Sequence, residues 1–482
     1  MNKLKTLFTK ENWSRFVRSD GSKSVLSSII SVLIGLLLGF IVMCLCVPFL
    51  KTADPFRGLG FLFKGPFSST INPASQFGTM IFYSAPLIFT GLSVAIAYKT
   101  GLFNIGAPGQ FLMGAMGSLL VALNIDTTGN RALGVLVWLL ALAVGTLLGA
   151  IWSLIPGFLK ALFGINEVII CIMTNWIAAN IVTWTFSAFP NLVNAGDGKS
   201  GYLIKTAVTG NYTPNFGDWS YMDFSIILAI VAAVIVWVIL NKTSLGYSLK
   251  ACGYNKDAAR YAGMNERKYI VISMAIAGAL SAMGGALYYL NANIELKWDA
   301  VYQNLPDYGF NGIPVALLAN CNPIGVIITS ILIRWLYSAG TFLQRAGYNK
   351  YFADVIIAII IYLAGFARFF NEQLTRYYKA NDKRGSTFTV WLYRRFLNYI
   401  HMGKAKKVEA STENRIPQSE IKNEPKVEEV IKIDEKAEEA PLEMPVTKIE
   451  TDEKKPSAPT KKKASPGVKK RVTKKKKEGE GR

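Results

Sequence analysis

The stretch GLFNIGAPGQFLMG, residues 101–114, decides how the rest of the chain is read. It lies within a long apolar segment, yet it holds four glycines, a proline, an asparagine and a glutamine. Polar backbone at membrane depth is tolerated only where it is buried in protein or lines a cavity. A membrane helix broken in this way is either a turn between two spans or one wall of a path.

Outward from the break, 51% of the 482 residues are hydrophobic, and they come in long runs rather than at the spacing of a soluble core helix. This pattern predicts an all-α, polytopic membrane protein. Eight runs read as clean spans: 25–50, 79–98, 133–155, 168–189, 224–240, 270–290, 324–337 and 355–370. Two more, 102–123 and 308–320, are apolar but cut by Gly, Asn or Pro, which brings the expected count to ten crossings. Basic residues near span ends are retained in the cytoplasm. Residues 1–24 carry six Lys/Arg against two acids, and the loop 241–269 also carries six. Both are therefore assigned to the inner face, and ten crossings place both termini there, with the loop 190–222 outside. The first span is too long for a removed signal peptide and lacks a small-residue cleavage site, so it reads as an uncleaved anchor. Three regions follow: a cytosolic segment 1–24, a transmembrane domain 25–371 with an inner loop 242–269, and a tail 372–482.

Several functions are excluded by what the chain carries. The five cysteines, Cys44, Cys46, Cys171, Cys252 and Cys321, lie in or near spans without CxxC spacing, so neither a disulfide framework nor a metal cluster is implied. One histidine, His401 in the tail, cannot build a His-based site within the spans. NAGDGKS at 194–200 ends like a phosphate-binding loop, but Val193 stands where its first glycine belongs and no buried strand precedes it. The tail has no aromatic residue after Tyr399 and ends in a block, Lys454 to Lys477, of twelve Lys/Arg without an acid. Such a segment cannot bury enough apolar surface to fold, and is expected to be disordered and drawn weakly to the inner leaflet. Without interleaved aromatics the tail has nothing on which bases could stack, and nucleic acid is not among the expected partners.

The inner loop YSLKACGYNKDAARYAGMNERKY, 247–269, predicts a short helix over 256–262. Asn255 is its N-cap, Asp257 favours the first turn, and Gly263 ends it. The small side chains of Ala258, Ala259 and Ala262 would let another surface come close. From capping alone the segment is equally an ordinary connector. Asn166 and Glu167 likewise cap the span that follows them. Asn175, two turns inside that span, either bonds a neighbouring helix or faces a path. Arg334 is expected to snorkel to the interface.

GYNKDAARYAGM at 253–264, followed by SMAIAGALSAMGGAL at 273–287, resembles the coupling loop and next span of permease subunits of ATP-binding-cassette importers, in the nucleoside and simple-sugar branch. FNIGAPGQFLMGA at 103–115, INEVIICIMTNWIA at 165–178 and GFNGIPVALLANCNPIGVI at 309–327 are similar to three further stretches of that branch, in the same order. The resemblance covers neither residues 1–24 nor the tail. It implies a permease of two inverted repeats in the cell membrane of a bacterium, and TGLSVAIA at 90–97 and GALSAMGG at 278–285 are a faint echo of such repeats. It implies as partners a second permease, two cytosolic ATPase subunits and an extracellular substrate-binding lipoprotein. The FNIG and GQ form of the first motif is similar to one of two permeases found together, hence a heterodimer. The chain itself would be no enzyme and need no cofactor, ATP and Mg being bound by the ATPases. Gly253, Asn255, Asp257, Ala258, Ala259 and Arg260 would couple to them.

Inverted repeats with broken helices place the path at the repeat interface. The two breaks, 104–110 and 309–314, are then facing sides of one cavity. A nucleoside is uncharged and flat, so its path needs aromatic faces and amides. Asn104, Gln110 and Asn311 supply amides, and Phe103, Tyr308 and Phe310 supply faces. Gly106, Gly109 and Asn175 complete the expected path, though Gly106 and Gly109 equally suit close helix packing and Asn104 and Gln110 equally suit capping of broken backbone. The resemblance departs at Pro108 and Asn311, where the family usually and often, respectively, has an acid, which argues against a cationic substrate. A monosaccharide or a branched-chain amino acid on the same fold is the alternative cargo. An ion-coupled transporter would carry acidic residues within its spans, where these spans hold essentially none. A membrane anchor serving its tail would need one span and not ten.

Overall fold

The computed structural model describes residues 20–364, except 51, 70–71, 190–197, 202, 204–219, 292, 302, 304 and 350, together with 366, 369 and 372. All of these belong to one unit, Met1–Arg395. The tail beyond Glu372, with His401 and the expectation of disorder, lies outside the described residues, as does most of the loop 190–222.

Thirteen α-helices account for the described fold: α1 Asp20–Cys46, α2 Pro55–Lys64, α3 Pro73–Lys99, α4 Ala107–Asn124, α5 Arg131–Phe163, α6 Glu167–Ala188, α7 Ser225–Lys242, α8 Ser244–Tyr254, α9 Lys256–Tyr261, α10 Glu266–Tyr289, α11 Asp307–Leu318, α12 Pro323–Leu343 and α13 Phe352–Ala364. Five of them start on an asparagine whose Oδ1 accepts a first-turn N–H: Asn130, Asn166, Asn255, Asn265 and Asn322. Such a cap satisfies one of the amide donors that a helix start leaves open. The sheet content among the described residues is one isolated antiparallel bridge, Lys199 to Lys297. It holds the end of NAGDGKS against the 295–299 segment, with the Ser200 N–H donating to Leu296 O at 2.9 Å. Residues 194–197 of that stretch lie outside the described residues.

Among the described residues, seven helices are long and apolar enough to cross a membrane: α1, α3, α5, α6, α7, α10 and α12. The other three segments read as crossings are α4, α11 and α13, with 18, 12 and 13 residues. At 1.5 Å per residue α11 is about 18 Å long, a little over half of a ~30 Å hydrocarbon core. In α3, 89% of the apolar window is buried, against 28–61% in the other six, so α3 runs through the middle of the bundle.

Small residues set how closely the central helices meet. A Cβ on Gly114 of α4 would collide with the Ala282 backbone of α10, one on Gly145 of α5 with Gly114 O, and one on Gly278 of α10 with Ser153 of α5. In an apolar solvent close backbone approach replaces the hydrophobic effect as the source of helix association. The same device joins the remaining pair: Gly312 of α11 lies against Thr90 of α3, and Gly91 of α3 against Val315 of α11. Each long helix, α3 and α10, thus carries the short helix that follows the other. A second core, with Val32, Met43, Leu62, Leu336, Tyr348 and Ile356 among its members, packs α1, α2, α12 and α13 together as an outer wall. Gly114→Val should cost about 1–3 kcal/mol through overpacking, read as a lower unfolding temperature of the detergent-purified protein. Gly60→Ala in α2, where a Cβ meets nothing within 4 Å, should leave that temperature unchanged.

Candidate functional site

At the first break α3 ends at Lys99, and Gly101, at φ +75°, turns the chain where a side chain would be strained. The chain then runs without helix to Gly106 before α4 begins at Ala107. Asn104 and Gln110 are both buried and exchange two hydrogen bonds: Asn104 Nδ2 donates to Gln110 Oε1 at 2.9 Å and Gln110 Nε2 donates to Asn104 Oδ1 at 3.1 Å. Asn104 Nδ2 also donates to Ser93 Oγ at 3.0 Å, and its Oδ1 accepts the Gly106 N–H at 3.1 Å. Asn175 reaches in from α6, accepting the Gly109 N–H at 2.9 Å and donating to Ile105 O at 2.9 Å. From α10, Ser281 Oγ donates to Ala107 O at 2.7 Å. The amides read from the sequence as facing a path are therefore engaged with the broken backbone and with one another. A Cβ on Gly106 would press on Asn104, Gln110 and Cys171, and one on Gly109 on Asn175 and Ala178. Phe103 is half-buried, and Glu167, the first residue of α6, pairs through Oε2 with Lys160 Nζ at 2.8 Å.

The start of α11 abuts the start of α4. Gly309 lies so close to Pro108 that a Cβ would overlap its ring and backbone. Both helix N-termini, the positive ends of their dipoles, thus meet inside the bundle. Pro108 suits this place because the first turn of a helix has no intrahelical use for its missing N–H.

Next to this junction is an aromatic cluster drawn from five parts of the chain. Tyr308 stacks on Phe111 (6.1 Å, 9°) and on Tyr83 (6.3 Å, 22°), and lies 4.8 Å from Tyr288. Phe82 stacks on Tyr288 at 5.9 Å, Tyr289 meets Tyr288 edge-on at 4.8 Å, and Tyr221 packs edge-on against Phe82 and Tyr83. Of the expected faces only Tyr308 belongs to it. Phe310 is 39% exposed, and Asn311 is half-buried.

Arg334 corrects the sequence reading. It sits halfway along α12, not at its end, with its guanidinium 4.8 Å from the Tyr83 ring centre, 5.2 Å from Tyr337 and 5.7 Å from Tyr308. Three ring faces stabilise a cation that would otherwise have to reach the interface. Its Nε is buried without a hydrogen-bond partner among the described residues. One signal was available: Arg334 is the sole charged residue of the run 324–337, and a charge within a span is a functional candidate by default.

The 247–269 segment forms the α8–α9 hairpin. Asn255 Oδ1 accepts the Ala258 N–H at 3.0 Å, Asp257 lies in the first turn, and Gly263, at φ +80°, follows the end. Ala259 is buried while Tyr254 and Tyr261 are 90% and 94% exposed. Gly253 presses on the backbone of Lys99, Thr100 and Gly101, where no Cβ fits. Cys252 is buried beside it, and burial, with Glu266 nearby, pushes its thiol up. Lys99 Nζ donates to Asn320 O at 3.5 Å, beyond the end of α11, and Thr100 Oγ1 lies 2.8 Å from Ser273 Oγ of α10. The hairpin thus rests against the first break and one side chain away from the far end of the second broken segment.

Residues 77–394 match the family described as branched-chain amino acid transport system / permease component. The chain belongs to this permease family. Its members named below are transport subunits rather than enzymes. The permease is 33% identical to the guanosine ABC transporter permease protein NupP of Bacillus subtilis, over 70% of this chain and 92% of that one. It is 33% identical to the nucleoside ABC transporter permease protein NupB of Lactococcus lactis, over 71% and 91%. To the glucose ABC transporter permease protein TsgB13 of Haloferax volcanii it is 29% identical, over 69% and 86%. The first two organisms each contribute a second match, NupQ and NupC, at 27% and 26% identity over 51% and 52% of this chain. No solved structure matches it.

Asn175→Ala would strip a buried N–H and a buried C=O of their partners at once. It should destabilise the permease by about 1–3 kcal/mol for each group left bare, measured as the shift of its unfolding temperature in detergent.

Proposed function

We propose that this permease is one half of the membrane core of an ATP-driven importer for nucleosides, and that the path runs where the two helix breaks meet. The observation that carries the reading is the ring cluster of Tyr83, Phe111, Tyr288 and Tyr308 at the junction of α4 and α11. An uncharged, flat base can stack on such rings without leaving water for a fixed counter-charge. The cargo of NupP and NupB supports the same substrate class. Within the path Tyr308 stacks, Phe103, Phe310 and Asn311 flank it, and Asn104, Gly106, Gly109, Gln110 and Asn175 hold the wall in shape.

The membrane core is completed by a second, different permease, as the pairing of relatives within one organism supports. Two ATPase subunits bind ATP and Mg on the cytosolic side, and an extracellular lipoprotein delivers the substrate. The basic flanks orient the α8–α9 hairpin to the cytosol, with both termini. When the ATPases close, they push on Gly253, Asn255, Asp257, Ala258, Ala259 and Arg260. Gly253 passes the push to the Lys99–Gly101 corner, and Lys99 passes it to the end of α11. The two short helices, each packed on the other's long helix, then tip together and alternate access to the path. The tail lies along the anionic inner leaflet.

Membrane vesicles holding the assembled transporter should take up labelled nucleoside in an ATP-dependent manner that survives an uncoupler. Uptake that follows an ion gradient and ignores ATP would overturn the energy source, and uptake of glucose alone would overturn the cargo, in line with TsgB13. Gly253→Val should separate the two activities: ATP turnover by the assembled complex persists while uptake per ATP falls severalfold, because the added side chain pries the hairpin off the Lys99 corner.

A further inference from the structure

The amides at the first break already have partners, so recognition of a nucleoside's polar edge has to come from elsewhere in the same junction. Asn104 and Gln110 bond each other, and Asn175 bonds backbone. Tyr288 and Tyr308 lie ring against ring, 4.8 Å between centres. Arg334 is different. Three aromatic rings lie 4.8–5.7 Å from its guanidinium carbon, an attraction to charge that uses no N–H hydrogen bond. Its Nε–H is buried with no acceptor among the described residues.

We infer that Arg334 is a specificity-determining residue of the path, reading the paired acceptors O6 and N7 of a 6-oxopurine nucleoside. A guanidinium presents two parallel N–H donors in a fixed fork, and O6 and N7 of guanine are the acceptor pair that this fork fits. Adenine offers N7 but a donor at position 6, so one of the two bonds is replaced by donor facing donor. The stacking partner is at hand, since Tyr83 and Tyr308 carry both the guanidinium and the ring stack. A base slotted on Tyr308 would then lie edge-on to Arg334. Two carboxylates, Asp307 and Asp354, act on Tyr337 from the same neighbourhood, which sets up the competing role for Arg334 as a purely structural cation.

The inference rests on the nucleoside reading above, and one set of measurements separates the two. The complete transporter, with second permease, ATPases and lipoprotein, is reconstituted in vesicles, and uptake of guanosine, 7-deazaguanosine (which lacks the N7 acceptor), adenosine and glucose is compared. The wild type is set beside Arg334→Met and Arg334→Lys, and comparing ratios between variants cancels any preference of the delivering lipoprotein. The guanosine-to-adenosine and guanosine-to-7-deazaguanosine ratios should each fall about tenfold in both variants, the usual discrimination of one bidentate pair. Lysine keeps the charge and loses the fork, so a lysine variant with wild-type ratios overturns the inference, as do ratios that Arg334→Met leaves unmoved or an equal fall for every substrate. If the methionine variant does not assemble, the lysine variant alone decides. A wild type that carries glucose and no nucleoside overturns the nucleoside reading itself, and this inference with it.

Discussion

Two hydrogen bonds from Asn175, one accepted from Gly109 and one donated to Ile105, are what the rest of the architecture depends on. A helix that begins within an apolar bundle leaves bare N–H groups, and the extended chain before it leaves bare C=O groups as well. Each such group costs several kcal/mol in hydrocarbon. Water pays nothing back here, because Asn104, Gln110 and Asn175 are all buried. Side-chain amides solve the problem because each has a donor and an acceptor end. With the break satisfied from within, α4 can start where α11 also starts, and their N-termini can meet.

The two breaks are held by different chemistry, and this gives them different mechanical properties. The first is short, 100–106, and locked by directional bonds to α3, α6 and α10. The second begins in the longer connection from Leu290 to Pro306 and is closed chiefly by rings lying on rings. It ends in two consecutive non-glycine residues of left-handed conformation, Asn320 and Cys321, at φ +50° and +53°. Cys321 pays a steric cost there that Asn tolerates better. Directional bonds break all at once, whereas stacked rings slide. In the proposed cycle the α11 side is the one that would yield, and Lys99, bonded to Asn320 O, lies between the hairpin and the point where that side ends.

The sequence made much of this legible because local rules govern it. Span positions follow from apolar runs, and Asn166, Asn255 and Gly263 could be assigned to caps and ends from their neighbours alone. Motif order reached the family. What was not legible depends on partners distant in the chain. The ring cluster unites residues 82–83, 111, 221, 288–289 and 308, so no window of sequence contains it. Asn104 and Gln110 were correctly seen as amides at a break, but whether an amide faces a substrate or a carbonyl is settled by which neighbour lies within 3 Å. Arg334 looked like an interfacial snorkel because its three tyrosines come from α3, α11 and α12 itself.

These features together favour a path that binds little and discriminates much. Rings already stacked on one another lose few contacts when a base takes the place of a ring, since stack replaces stack. The free-energy well for the substrate is then shallow, as passage requires. Selectivity can survive in a shallow well when it comes from one misplaced donor, because the penalty for a wrong edge is separate from the depth of the stack. On the inference drawn for Arg334, one guanidinium among aromatic rings, its Nε buried, would satisfy both demands, whereas a ring of fixed charges would hold its cargo more tightly than a transporter can use.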